Sequence, residues 1–336
     1  MQAMLLERAG APLRRAEIVV PEPGPGQILI KVAACGVCRT DLHIFDGELA
    51  NPKLPLVLGH EIVGRIEALG DGVQGFPVGD RIGVPWLGFT DGTCAYCRAG
   101  EENLCDDPRF TGYQIDGGYA AYTVADARYV FRLPEGYTDA EAAPLLCAGI
   151  TTFNALRNSP ARAGDTVAIL GIGGLGHLGV QFATKMGFRT VAIARGREKE
   201  PLARELGAHH YVDTESQDPA SALQSLGGAR VILATVTSAQ AMTRVVGGLG
   251  ADGQLLVVGA SIDPIEVSPL QLIPGRRSIA GWPSGTAIHS EDTLNFSAMT
   301  GVRPRIEIFP LERAADAYER MMSGKARFRV VLQVAK

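Results

Sequence analysis

The sequence predicts an α/β protein of two domains, one mostly β and the other a doubly wound parallel sheet covered on both faces by helices. Three observations carry this. The chain has 336 residues, and a domain ordinarily holds about 100 to 200. From Met1 to about Tyr129 the pattern is short β-branched runs broken by proline and glycine, the mark of an irregular β domain. From Thr166 onward strand and helix patterns take turns, and the strands are continuous apolar runs of the kind that parallel sheets bury on both sides.

Strands are expected at Ile28–Val32, Ile62–Leu69, Arg81–Val84 and Ala120–Val124. Then follow the strand Thr166–Leu170, the helix Leu175–Met186, the strand Thr190–Ala194 and the helix Glu198–Leu206. Alternation continues through the strand Val231–Ala234, the helix Ala239–Gly247 and the strand Gln254–Val258. After Trp282 come amphipathic segments over Glu291–Thr300 and Leu311–Met322, then a last strand, Phe328–Val334. A terminal strand needs a sheet to join, which points back to the first domain, although periodicity leaves open which sheet receives it. No internal repeat or low-complexity tract interrupts the chain.

Composition narrows the function. With 46% hydrophobic and 20% charged residues the chain can bury a large core. Basic and acidic side chains give 32 − 36 = −4, and without a basic stretch there is no electrostatic footprint for nucleic acid. Glu7 and Arg8 interrupt the N-terminus before an export signal can form. The most apolar window, Val167–Val180, is rich in glycine and shorter than the roughly 20 residues a membrane span needs. A cytoplasmic protein with no membrane partner is expected. Six cysteines are too sparse for a disulfide scaffold, and in a reducing compartment their clustering points to metal or catalysis.

Gly171, Ile172, Gly173, Gly174, Leu175 and Gly176 follow a predicted strand and open a predicted helix, the context that gives a GxGxxG run its force. The first glycine permits the turn, the second admits a pyrophosphate, and the third lets helix and strand pack at the positive helix end. A dinucleotide is therefore expected. An NAD site usually offers an acid to the ribose about 20 residues further on. Here His177 to Arg197 contains none, and the second strand ends in Ala194, Arg195, Gly196 and Arg197. Guanidinium groups bind phosphate by paired hydrogen bonds, and without a carboxylate nothing repels a 2′-phosphate. NADP(H) is favoured over NAD(H), the alternative being that both arginines are solvated surface charges.

Asp91, Cys94, Cys97 and Cys105 share one glycine-bearing loop, and CxxC with a third cysteine close by suits a closed structural zinc site. Asp91 stands three residues before Cys94, where a fourth cysteine would fall, and water or Glu101 are the other candidates for fourth ligand. A second, dispersed set is Cys38, His60 with Glu61, and Cys147. Each alone reads as core; together with Gly36–His43, Gly59–Glu61 and Leu146–Gly149 they do not.

Through these blocks, the glycine loop and the tail Gly324–Leu332, the chain resembles the zinc-dependent medium-chain alcohol dehydrogenases of the shorter bacterial and yeast type, over essentially its whole length. The resemblance implies a GroES-like, mostly β catalytic domain over 1–150 and 286–336, a Rossmann domain over 151–285 and an active site in the cleft between them. It implies two zinc ions per chain, the catalytic one held by Cys38, His60 and Cys147, a ligand set shared with alcohol dehydrogenase, with Glu61 able to exchange in. Asp41 would orient His60. Thr40 would receive the alcohol proton and His43 would end the relay to solvent through the cofactor ribose. Arg39 and Arg329 would face the cofactor pyrophosphate. Asp91 departs from the cysteine most members carry there. A homotetramer is implied as well.

Zinc lowers the pKa of bound water from 15.7 to about 7, which at 1.36 kcal/mol per unit is worth roughly 12 kcal/mol toward ionising a hydroxyl. The expected reaction is hydride transfer between NAD(P) and a small alcohol or aldehyde, primary and apolar or aromatic. Trp86 and Trp282 are candidate pocket walls, and Val258, Gly259 and Ala260 end a strand where nicotinamide would bind. A polyol or sugar-alcohol dehydrogenase of the same architecture is the nearest rival. A quinone reductase lacks such zinc ligands, and a non-enzymatic zinc scaffold has no need of Thr40, His43 and an intact glycine loop.

Overall fold

The strand Gln27–Val37, 11 residues long, organises the first unit of the computed structural model, which describes residues 1–334. It pairs antiparallel with Glu61–Leu69 on one side and with Arg329–Gln333 on the other, and its first half also pairs with Tyr122–Asp126. Arg81–Val84 and Phe131–Arg132 extend the sheet past Glu61–Leu69, and Ile306–Pro310 runs parallel to Arg329–Gln333 at the far edge. The last strand thus joins the sheet of the amino-terminal segment. Ile28, Ile30, Ile62, Ile66, Val330 and Leu332 fill one core beneath it. Register decides what meets at the sheet's end: Gly36 lies opposite Glu61, and Val330 opposite Val37. Cys38, His60 and Arg329, each one step beyond these pairs, are therefore neighbours.

Met1–Ile150 with Gly285–Lys336 form one compact unit and Thr151–Ser284 the other. The second unit is a six-stranded parallel sheet ordered His210–Asp213, Arg189–Ala194, Thr166–Leu170, Ala229–Ala234, Leu249–Val257, Ser278–Gly281. Numbered along the chain this is 3-2-1-4-5-6, the doubly wound order whose direction reverses beside the first strand. Every residue of Thr166–Leu170 is buried, as a central parallel strand requires.

Several boundaries differ from the sequence expectation for physical reasons. The strand expected at Ala120–Val124 runs over Tyr122–Asp126, because Ala120 bridges to Ala3 and Ala121 N–H donates to Gln2. The helix expected from Glu198 begins at Glu200, with Pro201 in its first turn. The segment expected from Glu291 is helical from Ala287. A short helix, Arg39–Phe45, interrupts the β domain directly after Cys38. Among the described residues no helix is long and apolar enough to cross a membrane.

Candidate active site

Three segments converge where the strands end. Cys38 directly follows Gln27–Val37 and caps the helix Arg39–Phe45, His60 precedes Glu61–Leu69, and Cys147 precedes the helix Ala148–Arg157. The two sulfurs lie 3.6 Å apart, and one ligand atom each from Cys38, His60, Glu61 and Cys147 lies within 4.8 Å of all the others. Two Zn–S bonds of about 2.3 Å at the tetrahedral angle would set the sulfurs about 3.8 Å apart. His60 Nε2 is buried with no hydrogen-bond partner, a costly state for an imidazole unless a cation takes the lone pair. The donor set fits zinc.

Asp41 fixes the other side of the ring. Its Oδ1 sits 2.9 Å from His60 Nδ1, and its Oδ2 accepts from Cys38 N–H at 2.9 Å and from the Tyr119 hydroxyl at 3.2 Å. A carboxylate on Nδ1 leaves Nε2 free as a ligand atom. A hydrogen bond from the Cys147 thiol holds Cys38 well below the usual thiol range, helped by His60 and Arg329 against the effect of burial, while the same hydrogen bond pushes Cys147 up. Burial pushes Glu61 up to about 7 despite its Arg329 partner. Gly36 makes room for that carboxylate: a Cβ there would come within 1.8 Å of Glu61 Oε2.

Arg329, expected at a pyrophosphate, is only 3% exposed, and its guanidinium is ion-paired with Glu61. Arg39 reaches Met322 Sδ with one terminal nitrogen. Thr40 Oγ1 stands 3.7 Å from Cys38 Sγ. His43 lies three residues further along the same short helix, on the same side, and its Nδ1 is engaged by the Glu48 carboxylate. Trp86 packs edge-on against His60, centroids 4.9 Å apart, and stacks on Phe110 at 4.6 Å. Trp282 belongs to the second unit, where its Nε1 donates to Ser284 O at 3.1 Å.

The other cluster is built differently. Ligand atoms of Asp91, Cys94, Cys97 and Cys105 also lie within 4.8 Å of one another, but one loop supplies all four, and Cys94 and Cys97 are partly exposed. Backbone amides already point at the donors: Asp91 N–H and Asp107 N–H donate to Cys105 Sγ at 3.4 Å, and Cys97 N–H to Cys94 Sγ at 3.5 Å. Asp91 Oδ1 accepts from Cys94 N–H at 2.8 Å and Thr93 N–H at 2.7 Å, which holds its carboxyl well below the usual range. Thiolates that accept amide hydrogen bonds from their own loop suit a closed tetrahedral site.

In the second unit the glycine run turns between Thr166–Leu170 and the helix Gly176–Lys185. Gly171 has φ +93°, and a Cβ on Gly176 would come 1.7 Å from Gly171 O, so both must be glycine. A Cβ on Gly173 would meet nothing within 4 Å; the loop is open on that side, where a phosphate needs room. Gly174 and Leu175 complete the turn into the helix. Val258 N–H and Gly259 N–H both donate to Ala234 O, and Ala260 follows at the strand's end. Ala194 is buried at the end of Arg189–Ala194, and Arg195 and Arg197 are exposed beyond it.

Tyr119, Glu48 and Asp213 were not singled out from sequence. Each contacts its partner across a strand register or a turn, and no spacing announces such a contact; the one available hint was the Gly117–Gly118 pair before Tyr119, where a Cβ on Gly117 would come 2.0 Å from Gly59 O.

Residues 24–135 match the alcohol dehydrogenase GroES-like domain and residues 174–298 the zinc-binding dehydrogenase domain. An alcohol dehydrogenase of Penicillium expansum is 43% identical over 331 residues, covering 98% of this chain and 96% of that protein. One of Geobacillus stearothermophilus is 40% identical over 336 residues, covering 99% and 100%. Among solved structures, a cinnamyl alcohol dehydrogenase from Sorghum bicolor superposes with a TM-score of 0.90 at 30% identity, covering 99% of this chain and 97% of that one.

Proposed function

From the premise that this chain belongs to the zinc-dependent medium-chain alcohol dehydrogenases and interconverts alcohols and aldehydes or ketones with zinc and a nicotinamide cofactor, we propose how its own residues divide the work. Cys38, His60 and Cys147 hold the catalytic zinc, and Asp91, Cys94, Cys97 and Cys105 hold a second, structural one. The observation that carries the first assignment is the buried, unpartnered His60 Nε2 facing two sulfurs 3.6 Å apart. Zinc, when bound there, supplies Lewis acidity toward a hydroxyl or carbonyl oxygen.

The remaining roles are the protein's. Asp41 holds the His60 ring so that Nε2 faces the sulfurs. Thr40 Oγ1 accepts the substrate's hydroxyl proton as its own proton leaves along the relay that ends at His43. Glu48 engages His43 Nδ1, which leaves Nε2 as the ring nitrogen able to exchange a proton with solvent. Glu61, tethered to Arg329 and within reach of both sulfurs and His60, is the carboxylate able to approach the metal.

Trp86, Phe110 and Tyr113 form a stacked aromatic wall beginning at His60. That wall favours a primary apolar or aromatic alcohol over a polyol, whose hydroxyls would be stranded against it. The cofactor preference is NADP(H), carried by the missing acid after Ala194 and by Arg195 and Arg197. The family resemblance supports a homotetramer; sedimentation equilibrium bears this out if the mass is near four chains and contradicts it if it is near one or two. Initial rates of NADP+ against NAD+ with cinnamyl alcohol, benzyl alcohol and sorbitol, and of NADPH against NADH with their carbonyl products, test the whole reading: the phosphorylated cofactor and the aromatic pair should be preferred, and a preference for the unphosphorylated cofactor or for sorbitol contradicts it.

A further inference from the structure

We propose that Tyr211 and Asp213, on the strand next to the one that ends at Ala194, are positioning residues for the 2′-phosphate of NADP(H), acting through the backbone of Gly196. The inference rests on the NADP reading and adds to it the device that shapes the site. Gly196 separates Arg195 from Arg197 and has φ +74°, a left-handed conformation that glycine adopts without penalty. A Cβ there would also come 2.2 Å from the Glu198 carboxylate.

Such a turn has many alternatives in an exposed loop, and here two side chains remove them. Gly196 N–H donates to Asp213 Oδ1 at 2.8 Å, and the Tyr211 hydroxyl donates to Gly196 O at 2.6 Å. The N–H belongs to the peptide that joins Gly196 to Arg195, and the carbonyl to the peptide that joins it to Arg197. Both planes flanking the glycine are gripped, and with them the directions in which the two arginine side chains leave the backbone.

The clamp is itself fixed. Ala194 lies opposite Asp213 in the parallel register, Thr214 N–H donates to Ala194 O at 3.0 Å, and Glu215 N–H adds a second bond to Asp213 Oδ1 at 3.0 Å. Burial pushes the Tyr211 phenol up to about 12, so it stays a donor at neutral pH. Two amides converge on Asp213 Oδ1, which makes this carboxylate part of the turn's framework. A preordered pair of guanidinium groups binds phosphate without first losing loop entropy.

The test uses the full chain and two probes that differ only in the phosphate, adenosine 2′,5′-bisphosphate and 5′-AMP, titrated calorimetrically. Wild type should prefer the bisphosphate, and Arg197→Ala should reduce that preference. Tyr211→Phe and Asp213→Ala should each weaken the bisphosphate by about three- to tenfold, the scale of one lost hydrogen bond, with AMP within twofold. Asp213→Asn keeps the Oδ1 acceptor and removes a negative charge, so it should bind the bisphosphate at least as tightly as wild type. If Asp213→Ala binds more tightly, or both probes weaken equally, or neither Tyr211→Phe nor Asp213→Ala changes anything while Arg197→Ala does, the clamp is refuted and the NADP reading stands. If wild type shows no preference for the bisphosphate, the NADP reading falls and takes the clamp with it.

Discussion

Cys38, His60 and Cys147 come from three separate segments and meet at the buried end of a sheet, whereas Asp91, Cys94, Cys97 and Cys105 sit in one partly exposed loop. The difference lies in what holds the donors. In the buried cluster strand register sets Cys38 beside His60, through Gly36 opposite Glu61 and Val330 opposite Val37, and Cys147 enters from the turn before Ala148–Arg157. In the loop cluster only short turns and amide-to-sulfur bonds hold the donors, so bound metal contributes much of the loop's order. One region should therefore govern chemistry and the other stability.

The sharpest way to break this division is Cys38→Ser. Turnover should fall by at least about a thousandfold, since the metal's several kcal/mol of charge stabilisation is lost with its ligand, while fluorescence titration finds NADPH binding within twofold of wild type. Near-normal rates would remove the buried cluster from the chemistry. Asp41→Asn comes next: the ring loses its charged partner, and affinity for the buried zinc should drop by about 10- to 100-fold in a chelator competition. Unchanged affinity would mean that sheet register alone orients His60.

Asp91→Ala probes the other side of the comparison. The loop loses one donor, so calorimetry should show the melting temperature falling by about 4–8 °C, as about 2 kcal/mol would produce in a unit of this size, with kcat changed less than about threefold. A large kcat loss at unchanged melting would contradict the division. The smallest effect belongs to Tyr119→Phe, which removes one of three hydrogen bonds to Asp41. Release of the buried zinc to chelator should quicken by about two- to fivefold, on the scale of a single hydrogen bond, with the loop zinc unaffected.

The same contrast explains what the sequence disclosed. The loop cluster is legible from spacing, because CxxC and a nearby third cysteine reach one ion whatever the remainder of the fold does. The alternating strands of the second unit are legible because parallel strands must be apolar throughout, and Thr166–Leu170 is buried at every position. The dispersed cluster could be read only through family resemblance, since nothing local links Cys38 to Cys147. Glu61 and Arg329 show the limit clearly: both sit at strand ends and pair across the sheet, a contact that no local spacing announces. Tyr119, Glu48, Tyr211 and Asp213 act through similar contacts between elements, and residue type alone does not announce these.

The most direct test counts zinc per chain by mass spectrometry in wild type, Cys38→Ser and Cys97→Ser, with turnover measured on the same samples. Wild type should hold two ions and each variant one, with activity lost only in Cys38→Ser. A Cys38→Ser chain that keeps both ions and its turnover, or a folded Cys97→Ser chain that is inactive while retaining the buried ion, would contradict it.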